Sequence, residues 1–90
     1  MKKIVVIYGE NCAYCKKAKM LLKRAIEKDP GFSPIEIRYV KDISPEGRVY
    51  VHRYVPAFYV DGRHFFEGNP SMADIQRLLT ACLENQTFSE

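Results

Sequence analysis

Cys12-Ala13-Tyr14-Cys15 limits this chain more than any other stretch, because of what stands on either side of it. Ile4-Val5-Val6-Ile7-Tyr8, rich in β-branched residues, leads into it, and Ala18, Leu21, Leu22, Ala25 and Ile26 follow at three- and four-residue intervals. The first pattern is a strand buried on both faces; the second is one apolar stripe on a helix. Two cysteines three positions apart therefore sit where a turn opened by Gly9 becomes the first turn of a helix. The spacing predicts a helix from about Cys12 to about Lys28, with Tyr14 on its stripe, Asn11 as N-cap and Asp29-Pro30-Gly31 as stop.

A helix N-terminus holds backbone N–H groups without intrahelical partners and a partial positive charge. A thiolate placed there is stabilised, so its pKa falls below the roughly 8.5 of a free cysteine. Cys12 lies nearest the helix start, and Cys15 lies one turn on, on the same side. Residues at i and i+3 are neighbours, so the two sulfurs can meet in a disulfide. The pattern predicts a reversible dithiol/disulfide couple with Cys12 as nucleophile and Cys15 as resolving thiol. A zinc site would need four ligands, and Cys82, His52 and His64 form no pair at short spacing, so no metal is expected. Two inert core cysteines fit poorly with polar Asn11 and Tyr14 beside them and Lys16, Lys17 and Lys19 following. Cys82, on the apolar face of the last helix, reads as an inert buried thiol. His52 and His64 read as surface or strand-face residues, and Tyr8 as core.

Ninety residues make one domain, expected over 1–90 with 84–90 as a fraying tail. No stretch approaches the roughly 20 apolar residues that span a membrane. The apolar run after Met1-Lys2-Lys3 is too short for a signal peptide, and a cysteine pair plus a single cysteine suits a reducing compartment, so the expected location is the cytoplasm. The net charge is +3, with a local cluster at Lys16, Lys17, Lys19, Lys23 and Arg24. That cluster is either a solvated helix face or, at Lys16, a cation that holds a thiolate or an anionic substrate. It is too sparse for nucleic acid. A monomer without nucleic-acid or membrane partners is expected.

Residues 34–40 alternate, with Ile35, Ile37 and Tyr39 facing one way and Glu36 and Arg38 the other, as in a half-buried strand at or near a sheet edge. Strand, helix and strand in this order imply a right-handed parallel crossover. Ser44-Pro45-Glu46 opens a short helix over 44–52, although Gly47, Val49 and Val51 weaken it. Residues 55–67 read as a hairpin turning at Asp61-Gly62, with Pro56 opening its first strand. After Gly68-Asn69-Pro70, Ser71 and Asp74 form a capping-box pattern. Met72, Ile75, Leu78, Leu79, Cys82 and Leu83 give the last helix its buried face.

The resulting order, β-α-β-α-β-β-α, resembles the thioredoxin fold in the small form found in glutaredoxins, over about residues 3–83. The resemblance rests on Cys12-Ala13-Tyr14-Cys15, Val55-Pro56 and Gly68. It implies an α/β, thioredoxin-like four-stranded mixed sheet flanked by three helices, and a cis Val55–Pro56 bond beside the cysteines. It also implies a Val55 backbone able to pair with an extended substrate. Tyr8, Tyr14 and Lys19 match the glutaredoxin pattern, whereas Ala13 replaces its proline. Tyr54 replaces the usual threonine, and Gly68-Asn69-Pro70-Ser71-Met72 replaces the Gly-Gly and acidic pair that hold the γ-glutamyl end of glutathione. Asn69 and Ser71 still offer a donor and a hydroxyl there. The implied function is a dithiol–disulfide oxidoreductase acting on protein or low-molecular-weight disulfides. Cys12 and Cys15 are then catalytic, and Tyr14, Lys16, Val55, Pro56, Gly68 and Asn69 contact substrate. No cofactor is tightly bound, and glutathione serves as reducing co-substrate. The alternatives are a thioredoxin-like reductant recycled by a thioredoxin-reductase-type flavoenzyme, a binding module without turnover, and an iron–sulfur carrier using Cys12 and glutathione.

Overall fold

Strand β1 (Lys3–Tyr8) is the axis of the sheet, and Ile4 to Ile7 are buried whichever way they point. In the computed structural model, which describes residues 3–84, β1 pairs in parallel with β2 (Glu36–Lys41) and antiparallel with β3 (Ala57–Val60). Strand β4 (Arg63–Glu67) closes the order β2-β1-β3-β4 by pairing antiparallel with β3. β2 is thus an edge, as its alternation predicts. Helix α1 (Ala13–Lys28) joins the parallel strands, and α2 (Met72–Leu83) follows β4. Of the expected fraying tail, all but Glu84 lies outside the described residues.

Both helices cover one face of the sheet. Ala18, Leu22 and Ala25 of α1 and Ile75, Leu78, Leu79 and Cys82 of α2 close on Ile4, Val6, Phe58 and Val60. The other face buries Val5, Ile7, Val40, Ala57 and Tyr59, and an irregular segment rather than a helix covers it, through Tyr50 and Val55. The helix expected over 44–52 is a single 3-10 turn, Gly47–Val49, so the described residues hold two α-helices and not three. The cause is close packing. A Cβ on Gly47 would lie 2.0 Å from the Lys41 carbonyl oxygen, so glycine lets the segment settle on the end of β2. The Tyr50 ring then packs 4.7 Å from the Tyr59 ring, and the Tyr59 hydroxyl donates to the Val51 carbonyl.

Local signals elsewhere hold. Asp61 and Gly62 take positive φ (48° and 88°), as a two-residue hairpin turn of this type requires. Ser71 Oγ accepts from the Asp74 N–H at 3.1 Å while Asp74 Oδ2 accepts from the Ser71 N–H at 2.9 Å. Two expectations shift. Asn11 is not the N-cap of α1: it sits at φ 56°, in the left-handed region, and the cap falls on Cys12. Tyr39 keeps the parity of Ile37 but is half-exposed, and Val40 is the strand's buried residue, on the opposite face.

Candidate active site

The first turn of α1 is built around sulfur. Cys12 is extended (φ −98°, ψ 112°), and its Sγ accepts the Cys15 N–H at 3.1 Å, so the side chain that carries the chemistry also caps the helix. No acidic residue stands in that turn to compensate its dipole. Cys12 and Cys15 are disulfide-bonded, with Cα atoms 5.2 Å apart. Their accessibilities differ: Cys15 is buried, and Cys12 is partly open to solvent. An incoming disulfide can therefore reach the first sulfur before the second.

The Val55–Pro56 turn closes the other side. Its peptide bond is cis, and the Val55 carbonyl oxygen lies 3.9 Å from Cys12 Sγ. Pro56 is buried, and its carbonyl accepts the Gly68 N–H at 2.9 Å, which ties the turn to the end of β4. Glu67 adds a second tie. Its carboxylate accepts the Arg53 N–H at 3.3 Å and contacts His64 Nε2 at 2.9 Å. The His64 hydrogen bond, with the Arg53 and Tyr54 backbone N–H groups, holds this carboxyl below the usual carboxylate range. One side chain thereby fixes the chain just ahead of the prolyl turn.

A cleft of about 280 Å³ runs between α1 and β2, with Cys12 and Cys15 among its lining residues. Tyr8, Lys16, Lys19 and Tyr39 line it. Burial pushes the Tyr39 hydroxyl up from its ordinary pKa. Sequence reasoning placed Tyr8 in the core and gave Lys19 and Tyr39 no part in the site. The available signal was position: the register Val6↔Tyr39 sets this tyrosine toward the carboxyl end of a parallel strand, where α/β sheets open their clefts.

Cys12, Cys15, Val55, Pro56 and Gly68 are brought together, and Lys16 lines the cleft. Tyr14 is 51% exposed and outside the cleft lining, and the buried residues of α1 are Cys15, Ala18, Leu22 and Ala25. Asn69 is exposed, with its Oδ1 taken by Lys17 Nζ at 3.0 Å, and Ser71 is engaged by Asp74. Cys82 is fully buried in the main core and outside the disulfide. His52 Nδ1 lies 2.8 Å from the Tyr50 carbonyl oxygen. Among the described residues no three His, Cys, Asp or Glu side chains converge as metal ligands would.

A mixed sheet with a Cys-x-x-Cys disulfide at the start of its first helix and a cis-prolyl turn against it defines a thioredoxin-fold protein, and the disulfide-forming pair is consistent with a redox function. The thioredoxin domain family matches residues 2–80, and the chain belongs to it. No curated protein matches the chain.

Proposed function

We propose that the protein is a glutaredoxin-like dithiol–disulfide oxidoreductase. The observation that carries this is the double role of Cys12, whose Sγ caps α1 by accepting the Cys15 N–H at 3.1 Å while the residue stays partly open to solvent. After reduction of the pair, an anionic Cys12 sulfur keeps that hydrogen bond and gains the attraction of the helix N-terminus. It attacks a substrate disulfide, breaks the S–S bond and releases one thiolate. Cys15 then attacks Cys12 in the mixed disulfide, which frees the second substrate thiol and restores the Cys12–Cys15 bond. The protein pair loses two electrons, and the substrate disulfide gains them. Val55 offers its backbone to an extended polypeptide beside Cys12, and Pro56 and Gly68 hold that backbone in place. Glutathione is the first candidate for recycling the pair, in a reducing compartment such as the cytoplasm.

A second reading, recycling by a thioredoxin-reductase-type flavoenzyme, is favoured by one detail. Asn69 and Ser71, which stand where glutaredoxins hold the γ-glutamyl end of glutathione, already have partners in Lys17 and Asp74. One experiment separates the two: turnover of one disulfide substrate with glutathione and its reductase, and with thioredoxin reductase and NADPH. Turnover with the first supports the glutaredoxin-like assignment, and turnover with only the second reassigns the recycling partner. Failure with both, together with no alkylation of Cys12 by iodoacetamide below pH 8, overturns the enzyme assignment in favour of a binding module.

A further inference from the structure

The chain that leads into the Val55–Pro56 turn lies on the helix-free face of the sheet, and its own side chains do little to hold it there. Val51 is 88% exposed and Tyr54 64%, and Arg53 is exposed as well. The grip comes from the sheet instead. The Tyr59 ring packs 4.7 Å from that of Tyr50, and its hydroxyl donates to the Val51 carbonyl. Glu67 takes the last two backbone N–H groups before Val55, those of Arg53 and Tyr54.

An irregularity in β4 makes the second grip possible. Phe58 pairs with Phe66, but the next residue of β3, Tyr59, pairs with His64, so Phe65 is an extra residue in β4. Side chains alternate along a strand, and His64 and Glu67, three positions apart, would face opposite sides of a regular one. The bulge brings both to one side, where His64 Nε2 meets Glu67 Oε1 at 2.9 Å. The His64 ring in turn stands edge-on to Tyr59, with 5.3 Å between ring centres. Glu67 is thus braced by His64 through one oxygen and turned to the Arg53 N–H with the other. Amides on an exposed segment can be satisfied by water alone. What the braced carboxylate adds is position, because the residue that follows these two amides is Val55, whose carbonyl oxygen lies 3.9 Å from Cys12 Sγ.

Resting on the redox function proposed above, we propose that Glu67, aimed by the bulge at Phe65 and braced by His64, is a positioning residue that holds the Val55 backbone in register for an extended substrate chain. It touches neither sulfur, so it acts on recognition of the chain around a disulfide and not on the sulfur chemistry. Tyr59 supports it from β3 by fixing Val51. A disulfide without flanking chain has no backbone to lay along Val55 and gains little from this arrangement.

The test uses the full chain, reduced with dithiothreitol and desalted, and two probes with the same reacting bond. One is the mixed disulfide of thionitrobenzoate with N-acetylcysteine amide; the other carries the same cysteine at the centre of a short capped alanine–serine peptide. Release of the coloured thiolate gives a rate for each, and each rate is divided by that of free dithiothreitol, which removes intrinsic reactivity. The expected result for the wild type is a peptide preference of about fivefold, the order of one net backbone hydrogen bond. Glu67→Ala brings that ratio toward one, and Glu67→Gln, which keeps an oxygen to accept the Arg53 N–H, restores most of it. Glu27→Ala, the same charge loss on an exposed position of α1, leaves the ratio in place. Should Glu67→Ala fail to fold, Tyr59→Phe takes its place, since it keeps the ring and loses only the hold on Val51: a lowered ratio supports the proposal, and an unchanged one overturns it. A wild-type ratio of one overturns the proposal, as does a Glu67→Ala loss that is equal for both probes, which would make the residue a matter of stability alone. No release from either probe by the wild type would instead sink the redox function itself, so the two failures are distinct.

Discussion

Helices α1 and α2 both begin on an extended residue whose side chain turns back onto its own first turn, yet the two caps differ in what they can do. At α2, the Ser71 hydroxyl takes the Asp74 N–H and the Asp74 carboxylate takes the Ser71 N–H. At α1, a sulfur stands in the place of the hydroxyl, and the first turn carries no acid. The α2 start therefore has its anion built in. The α1 start lacks one, and gains it only when Cys12 is reduced and deprotonated. A carboxylate in that turn would serve the helix and compete with the thiolate; leaving it out reserves the dipole for the chemistry.

The sharpest way to break the comparison is to make the α1 cap resemble that of α2. Cys12→Ser keeps a good N-cap, so its stability should stay within about 1 kcal/mol of the reduced wild-type protein in a denaturant melt. Its disulfide reductase activity should fall below detection. Cys15→Ser should instead stall after the first exchange, as an adduct visible in the intact mass. Residual turnover by Cys12→Ser would move the nucleophile elsewhere.

The next effect is electrostatic. Ala13→Asp puts an acid into the first turn of α1, in imitation of Asp74. A charge near a helix N-terminus is worth about 0.3–1 kcal/mol, which would raise the Cys12 pKa by a few tenths of a unit and cut its thiolate fraction at neutral pH by up to about fivefold. Thiolate absorbance against pH measures this directly. An unmoved curve would mean that the vacant charge at α1 does not set the reactivity of Cys12.

These features were legible in the sequence to the extent that they are local. The Cys-x-x-Cys after an apolar run, the Asp61-Gly62 turn and the Ser71–Asp74 box each declare themselves within a few residues, and the structure forms all three. The cover on the far face of the sheet does not. It depends on Gly47 meeting the Lys41 carbonyl and on Tyr50 meeting Tyr59, contacts that no helix or strand period encodes. The cleft was hidden for the same reason: Lys19 of α1 meets Tyr39 of β2 only once the helix lies beside the strand, which sets residues far apart in the chain side by side. Tyr14 misled because helical period says which way a residue points, not whether anything lies there to cover it.

A smaller effect separates the caps by stability. Ser71→Ala removes the hydroxyl that takes the Asp74 N–H, and N-cap serines are worth about 1 kcal/mol. In a domain of this size that lowers Tm by roughly 4–8 °C. The rate of Cys12 alkylation should not change, because the α2 cap has no part in holding the thiolate. A shift in that rate would show the two helix starts to be coupled, through Lys17 and Asn69 or otherwise.

The smallest effect is the share of the acid dependence that the α2 cap carries. The Ser71 N–H, then the Ser71 hydroxyl and Arg77, hold the Asp74 carboxyl below its ordinary pKa in the folded chain. Its contribution to stability is therefore complete above the unfolded value of about 3.9 and is lost as pH falls through the lower folded value. Glu67 beside His64 and Glu46 beside Arg38 are depressed in the same direction, so acid should lower Tm through several groups at once. Asp74→Asn should remove only part of that slope, and a modest part, because exposed pairs are screened by water and salt. Thermal melts between pH 5 and pH 3 for wild type and Asp74→Asn would resolve it. An unchanged slope would mean that the hydroxyl alone caps α2, and the two helix starts would then differ in the chemistry of one atom rather than in charge.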